Sequence, residues 1–181
     1  MVRPLLAALE RDGGRALPMT ESLLARISGK DNPQMVLGAF EQRWQDPGRI
    51  TPDAGRCWIA LDRVRDPGNL GTIMRTADAT GARGIILIGD CTDPYSVEAV
   101  RASMGAVFNV ELAQMPEDDF LDLAAGWPGQ IVGTALPASR DYRKVDYAGP
   151  LILLMGNEQA GLTPALMLSL IHISEPTRRA L

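Results

Sequence analysis

Histidine, cysteine and aromatic residues are scarce in this sequence. His172 is its single histidine, so histidine-based acid–base chemistry has one candidate. The two cysteines, Cys57 and Cys91, have neither CxxC spacing nor histidine neighbours and read as buried small hydrophobes in a reducing compartment; no metal is expected. Aromatics make up only 5% of the chain, so Leu, Ile, Val, Ala and Met must fill the core that a 46% hydrophobic composition implies. The longest apolar runs, GIILIG and PLILLMG, fall far short of the roughly 20 residues of a membrane span. No charged n-region followed by an apolar h-region opens the chain, and the expected location is cytoplasmic. Neither GxGxxG after a strand nor GxxxxGK[ST] occurs, which removes the main support for a nicotinamide dehydrogenase or a P-loop enzyme. A net charge of −4 excludes nucleic-acid binding by bulk positive field, yet most basic residues are arginine, the better type for a local phosphate clamp.

What is present divides the chain in two. RPLLAALERDG and TESLLARISG carry apolar residues at helical spacing, each closed by glycine, with Thr20 as N-cap of the second. PQMVLGAFEQRW predicts a strand and QDPGRITPDAGR a turn-rich linker. Two helices and one strand cannot close a core, so residues 1–48 are expected to be the end of a larger domain or an appendage, with 49–56 as linker. From Cys57 short apolar strands alternate with helical segments: CWIALDRV, GNLGTIMRTADATGA, GIILIGD, SVEAVRASMGA, FNVELAQ, EDDFLDLAAGW, QIVGTAL and PLILLMGN. The pattern predicts an α/β domain over 57–167, its mainly parallel sheet flanked by helices. Ligands of such sheets bind beyond the carboxyl ends of the strands, which singles out the loops DRVRDPGNLG, GDCTDPYS, GTALPASRDYRK and GNEQAGL.

In DPGNLGTIMRTADATGA, Leu70, Ile73, Met74 and Ala77 form an i, i+3, i+4, i+7 stripe that leaves Arg75 off it. Two readings stand for its polar residues. Asn69 could be an N-cap and Arg75 half of an ion pair with Asp78; or the two hold a phosphate or hydroxyl at the sheet edge, with Gly68 and Gly71 allowing close backbone approach. In LILLMGNEQAGL an apolar strand breaks into Gly156, an amide, an acid and Gly161. This either presents backbone groups to a ligand or places Glu158 in the first turn of a helix. Arg101 and Ser103 of RASMGAVFNV are either a helix face or a contact surface.

Taken in order over about 110 residues, these segments resemble the SpoU/TrmH family of RNA 2′-O-ribose methyltransferases, within the SPOUT superfamily. DPGNLGTIMRTADATGA looks like the family's first motif, VRASMGAVF follows as expected, VGTAL lies at the loop before the last strands, and LLMGNEQAGL looks like the second motif. The resemblance implies a trefoil knot, an obligate homodimer, S-adenosylmethionine as cofactor and a ribosomal or transfer RNA as partner. It assigns catalysis to Asn69, Arg75 and Glu158, and cofactor contacts to Thr134, Ala135, Leu136, Gly156, Asn157 and Leu162. RNA contacts fall to Arg65, Arg75, Arg101 and Ser103. Guanidinium groups stay protonated in proteins, so Arg75 is expected to clamp a phosphate and stabilise a developing alkoxide rather than to accept a proton. Residues up to Trp44 resemble the end of a ribosomal-protein-like RNA-binding domain.

Beyond GLTPALM the resemblance stops. LSLIHISEPTR looks like the in-frame translation of a transposase sequencing adapter, so 168–181 is expected to be non-native and His172 to carry no chemistry. It stands where the family's third, Ser- and Asn-rich motif should complete the cofactor pocket. The expectation for this chain is therefore weak or absent S-adenosylmethionine binding, an inactive fragment of a methyltransferase. The alternatives are a non-catalytic RNA-binding or assembly module of the same fold, or an unrelated α/β ligand-binding domain in which Asn69 and Glu158 would point apart.

Overall fold

The computed structural model describes residues 3–52, 55–134, 140–168 and 171–174. They fall into two compact units, Met1–Glu41 and Gln42–Leu181. The first holds helix α1 (Arg3–Arg11) and helix α2 (Glu21–Ser28). Thr20 caps α2 as expected, its hydroxyl accepting from the Leu23 N–H at 3.3 Å, and Gly29 closes it in a left-handed conformation at φ 61. The strand expected over PQMVLGAFEQRW is absent: residues 33–44 have no regular structure, and Met35 is 85% exposed. A strand needs a partner for its backbone groups, and the first unit contains none among its described residues.

In the second unit the expected alternation is realised. Strand β1 (Cys57–Asp62) leads to helix α3 (Pro67–Thr80), β2 (Gly84–Ile88), α4 (Val97–Ser103), β3 (Glu111–Met115), α5 (Glu117–Ala125) and β4 (Gln130–Thr134). The short β5 (Arg140–Asp141), β6 (Leu151–Met155), α6 (Pro164–Leu168) and β7 (Ile171–Ser174) follow. All strand pairs are parallel, in the order β3-β2-β1-β6-β4-β7-β5. Within the segment 168–181, Ile171–Ser174 form β7, whose residues 171–173 pair with Val132–Thr134.

Period-two alternation explains why the strand sequences are apolar throughout. Ile59, Leu61, Ile85, Leu87 and Leu112 face α3 and α4, where Leu70, Met74, Ala77 and Ala99 meet them. Trp58, Ala60, Ile86, Ile88, Ile152 and Leu154 face the opposite layer, with Phe120 of α5 and Leu166 of α6. The expected linker is partly core: Ile50 is buried in this second layer, and the Trp58 indole N–H donates to the Thr51 carbonyl at 3.3 Å.

Gly71 is where the two helices of the first layer touch. A Cβ there would lie 2.4 Å from Ala102 Cβ and 2.7 Å from the Ala99 carbonyl oxygen, so this glycine serves helix packing rather than approach to a ligand. Gly71→Ala should therefore lower stability by about 1–2 kcal/mol despite alanine's better helix propensity, because forcing an extra carbon into a packed contact costs about 1–3 kcal/mol. A thermal melt checks this; a raised midpoint would show that α4 retreats freely.

Candidate active site

The carboxyl ends of β1 and β6 are neighbours in the sheet, and the chain leaves them in different directions: β1 toward β2, β6 toward the opposite layer. This is the switch point at which open parallel sheets open a crevice. The loops leaving the two ends, 62–69 and 156–162, are tied together by side chains.

Arg63 is the centre of the tie. It follows β1 with φ 52, a conformation that costs a non-glycine residue about 1–3 kcal/mol. Its N–H donates to the Ile88 carbonyl at 3.1 Å. The guanidinium grips the buried Asp62 carboxylate twice, Nε to Oδ1 at 2.8 Å and Nη2 to Oδ2 at 2.9 Å, and Nη2 also donates to the Gly161 carbonyl at 3.2 Å. That hydrogen bond to Asp62 pushes the Arg63 pKa further above its ordinary value. In return the Asn157 amide donates to the Arg63 carbonyl at 2.8 Å. Sequence reasoning missed this pair. The available signal was Asp62, an acid closing an apolar strand and followed directly by a base.

The second loop is a tight turn rather than a helix start. Asn157 and Gly161 exchange backbone hydrogen bonds at 3.1 and 2.9 Å, and the Asn157 side-chain oxygen accepts from the Gln159 and Ala160 N–H groups at 2.9 and 3.0 Å. Glu158 is therefore not in a helical first turn; it projects from the turn into solvent. Gly156 has no space for a side chain, since a Cβ would lie 2.4 Å from the Leu162 nitrogen. Leu162 itself is buried in the core.

Asn69 is not the N-cap of α3. Asp66 is, its carboxylate accepting from the Asn69 N–H at 2.6 Å with Pro67 in the first turn. That frees the Asn69 side chain, whose Nδ2 donates to Glu158 Oε1 at 3.2 Å across 89 residues of sequence. Arg75 lies on the same exposed side of α3, and of its two readings the ion pair with Asp78 does not form: Asp78 Oδ2 accepts instead from Asn109 Nδ2 at 3.1 Å. Among the described residues no carboxylate lies in ion-pair range of Arg75. Between Asn69 and Arg75, Thr72 and Thr76 turn their hydroxyls back onto the carbonyls of Gly68 and Thr72, at 2.9 and 3.0 Å. This face therefore projects the Asn69 and Arg75 side chains over a low surface.

The remaining residues scatter. Arg65 is exposed and paired with Asp90 at 2.7 Å. Arg101 is exposed on α4, but Ser103 is fully buried and its hydroxyl donates to the Val100 carbonyl at 2.7 Å, so the two do not share a surface. Thr134 ends β4 opposite Met155 and is exposed; Ala135 and Leu136 lie outside the described residues. Burial pushes both thiols, Cys57 and Cys91, above the ordinary cysteine range, in keeping with inert side chains. Among the described residues no group of three or more His, Cys, Asp or Glu is placed to hold a metal ion.

Known proteins are similar to this chain in sequence and fold. The model of the SpoU rRNA Methylase family matches residues 56–174. An rRNA methyltransferase of Sinorhizobium meliloti, solved with AdoMet bound, is 46% identical at a TM-score of 0.93, covering 99% of this chain and 70% of its own. The methyltransferase AviRb of Streptomyces viridochromogenes, solved with the cofactor AdoMet, is 33% identical at a TM-score of 0.69, over 76% of this chain and 57% of its own. Among curated relatives, a 23S rRNA (uridine(2479)-2′-O)-methyltransferase of S. viridochromogenes is 35% identical over 82% of this chain and 54% of its own length. A 23S rRNA (guanosine(2553)-2′-O)-methyltransferase of Bacillus subtilis is 31% identical over 82% and 58%. The chain thus spans a little over half the length of these curated relatives. By its match across the whole β1-to-β7 region, the chain belongs to the SpoU rRNA methylase family.

Proposed function

We propose that this chain transfers a methyl group from S-adenosylmethionine to a ribose 2′-hydroxyl of ribosomal or transfer RNA, acting as a homodimer in the cytoplasm. The observation that carries the reading is the Asn69–Glu158 hydrogen bond, which joins two motifs remote in sequence at the sheet's switch point. An unrelated ligand-binding domain would have no reason to bring them together. The activities of the relatives support the substrate class.

The residues present fit the cofactor. The ends of β4 and β6 lie side by side, and the cramped Gly156 brings the backbone at 161–162 close to that edge. Thr134, Gly156, Asn157 and Leu162 would hold it, with Leu162 offering only its backbone, and the neighbouring Ala135 and Leu136 complete the proposed set. When bound, S-adenosylmethionine supplies an electrophilic methyl group. The chain's own work is alignment and electrostatics. Arg75 holds the phosphate beside the reacting ribose and stabilises negative charge on the 2′-oxygen as its proton passes to solvent. Asn69 orients the target, and Glu158 fixes the Asn69 amide. Arg65 and Arg101 extend the RNA contact, while the buried Ser103 supports α4.

Incubation with methyl-labelled S-adenosylmethionine and rRNA or tRNA, followed by nuclease digestion, should yield a 2′-O-methylated nucleoside, and Glu158→Gln should reduce the yield about tenfold or more by weakening a charge-assisted bond. Methyl groups found on bases would overturn the reading. RNA binding with no transfer and no cofactor binding would favour the non-catalytic module. Calorimetry should then show cofactor binding at micromolar affinity, against the weak binding expected from the sequence of residues 168–181; no binding would favour an inactive fragment.

A further inference from the structure

A second feature opens on the same edge of the sheet, two strands away. At the carboxyl ends of β2 and β3 lies a cavity of about 260 Å³, walled by Leu87, Thr92, Asp93 and Gln114 and by Gln42 and Trp44 of the segment before β1. Residues 42–46 have no regular structure, yet they are held firmly. The Arg43 N–H donates to the Tyr95 hydroxyl at 3.1 Å, the same hydroxyl donates to the Arg43 carbonyl, and the Gln45 N–H donates to the Leu112 carbonyl at 2.7 Å. Tyr95 also meets the Trp44 indole edge to face, with ring centroids 5.3 Å apart. A loop fixed at both sides of a tryptophan that remains 41% exposed is a preorganised wall for something outside the chain.

We propose that this cavity takes one nucleobase of the bound RNA, a base carrying an exocyclic amino group, beside the nucleotide that is methylated. The proposal rests on the RNA reading above. The lining contains no Lys or Arg and includes an acid, so it suits a neutral heteroaromatic ring and not a phosphate. Its volume lies just below the roughly 300–1,000 Å³ of sites for drug-sized ligands and so suits a single ring system. Trp44 supplies an aromatic surface for stacking, as single-strand binders do. The Gln42 and Gln114 amides each offer a donor and an acceptor, and the Asp93 carboxylate accepts from an exocyclic amine as acids do from cytosine. Asp93 already accepts from the Tyr95 N–H at 2.8 Å, which fixes its direction. Two strand spacings, about 10 Å, separate this cavity from the β1–β6 site, close enough for a neighbouring nucleotide on one RNA strand.

The test uses the full chain and single-stranded oligonucleotides containing one 2-aminopurine, whose fluorescence falls on stacking. Wild type should quench the probe and bind A- or C-rich strands more tightly than oligo(U). Trp44→Ala should lose the quenching and about tenfold in affinity, whereas Trp44→Phe keeps much of both. Asp93→Asn should flatten the preference among bases. Circular dichroism of each variant separates misfolding from lost binding, and the Phe variant decides the case if the Ala variant unfolds. RNA binding that is weakened by Arg75→Ala but indifferent to Trp44→Ala and Trp44→Phe would overturn the subsite while leaving the methyltransferase reading intact. No RNA binding by wild type would overturn both.

Discussion

Arg63→Ala is expected to destabilise the second unit by about 3 kcal/mol, near the lower end of what breaking a buried ion pair by removing one partner costs. The Asp62 side chain is 1% exposed, and Arg63 supplies both of its guanidinium bonds. Truncation would leave a carboxylate in the sheet with its charge uncompensated. The lower end applies because the Arg63 side chain is 33% exposed and water can partly replace it. Two further variants separate the causes. Arg63→Gly also removes the pair but relieves the left-handed backbone, so it should recover about 1 kcal/mol relative to alanine. Asp62→Asn combined with Arg63→Ala removes the stranded charge and should be more stable than Arg63→Ala alone. Urea unfolding followed by tryptophan fluorescence reports on this unit, because Trp44, Trp58 and Trp127 all lie within it. An Arg63→Ala midpoint equivalent to less than about 0.5 kcal/mol of change would show that water or another cation replaces the guanidinium.

The same residue marks the limit of sequence reading. The long elements of the second unit were legible because burial on two faces demands uninterrupted apolar runs, as in Gly84–Ile88 and Leu151–Met155, separated by a helix whose stripe Leu70, Met74 and Ala77 keeps a 3.6-residue period. Asn69 and Glu158 were legible as a family pattern, and only the fold could show that they bond. What failed did so for local reasons. An N-cap at Asn69 stood as one of two readings because Asp66 and Asn69 are both good N-cap residues, and Pro67 at the first helical position decides for Asp66. The strand expected at 33–44 had the composition of one and no neighbour to pair with. Arg63 in a left-handed conformation has no sequence signature, since the strain is offset by partners at 62, 88, 157 and 161 that only tertiary structure supplies. The wall formed by Gln42 and Trp44 escaped for the same reason: it has no periodicity, only the hydrogen bonds that tie Arg43 to Tyr95 and Gln45 to Leu112.

Arg75→Ala should reduce methyl transfer by about 10²–10³-fold, the loss that follows removal of one preorganised donor from a developing oxyanion, and leave S-adenosylmethionine affinity within a few-fold. The separation of the two effects follows from position. Arg75 projects from the exposed face of α3, on the β1 side of the switch point, whereas the proposed cofactor contacts lie at the ends of β4 and β6. Among the described residues Arg75 has no carboxylate partner, so its removal strands no buried charge, and the fold should be unaffected. A structural role would instead show as a lowered melting temperature. Arg75→Lys discriminates further. A lysine keeps the charge but presents no planar fork, so it should restore RNA affinity more fully than turnover if Arg75 holds the phosphate and the 2′-oxygen together. Loss of cofactor binding in Arg75→Ala would place the residue in the cofactor site and sink this assignment. Unchanged transfer would show that Arg75 does not stabilise the charge that develops on the 2′-oxygen.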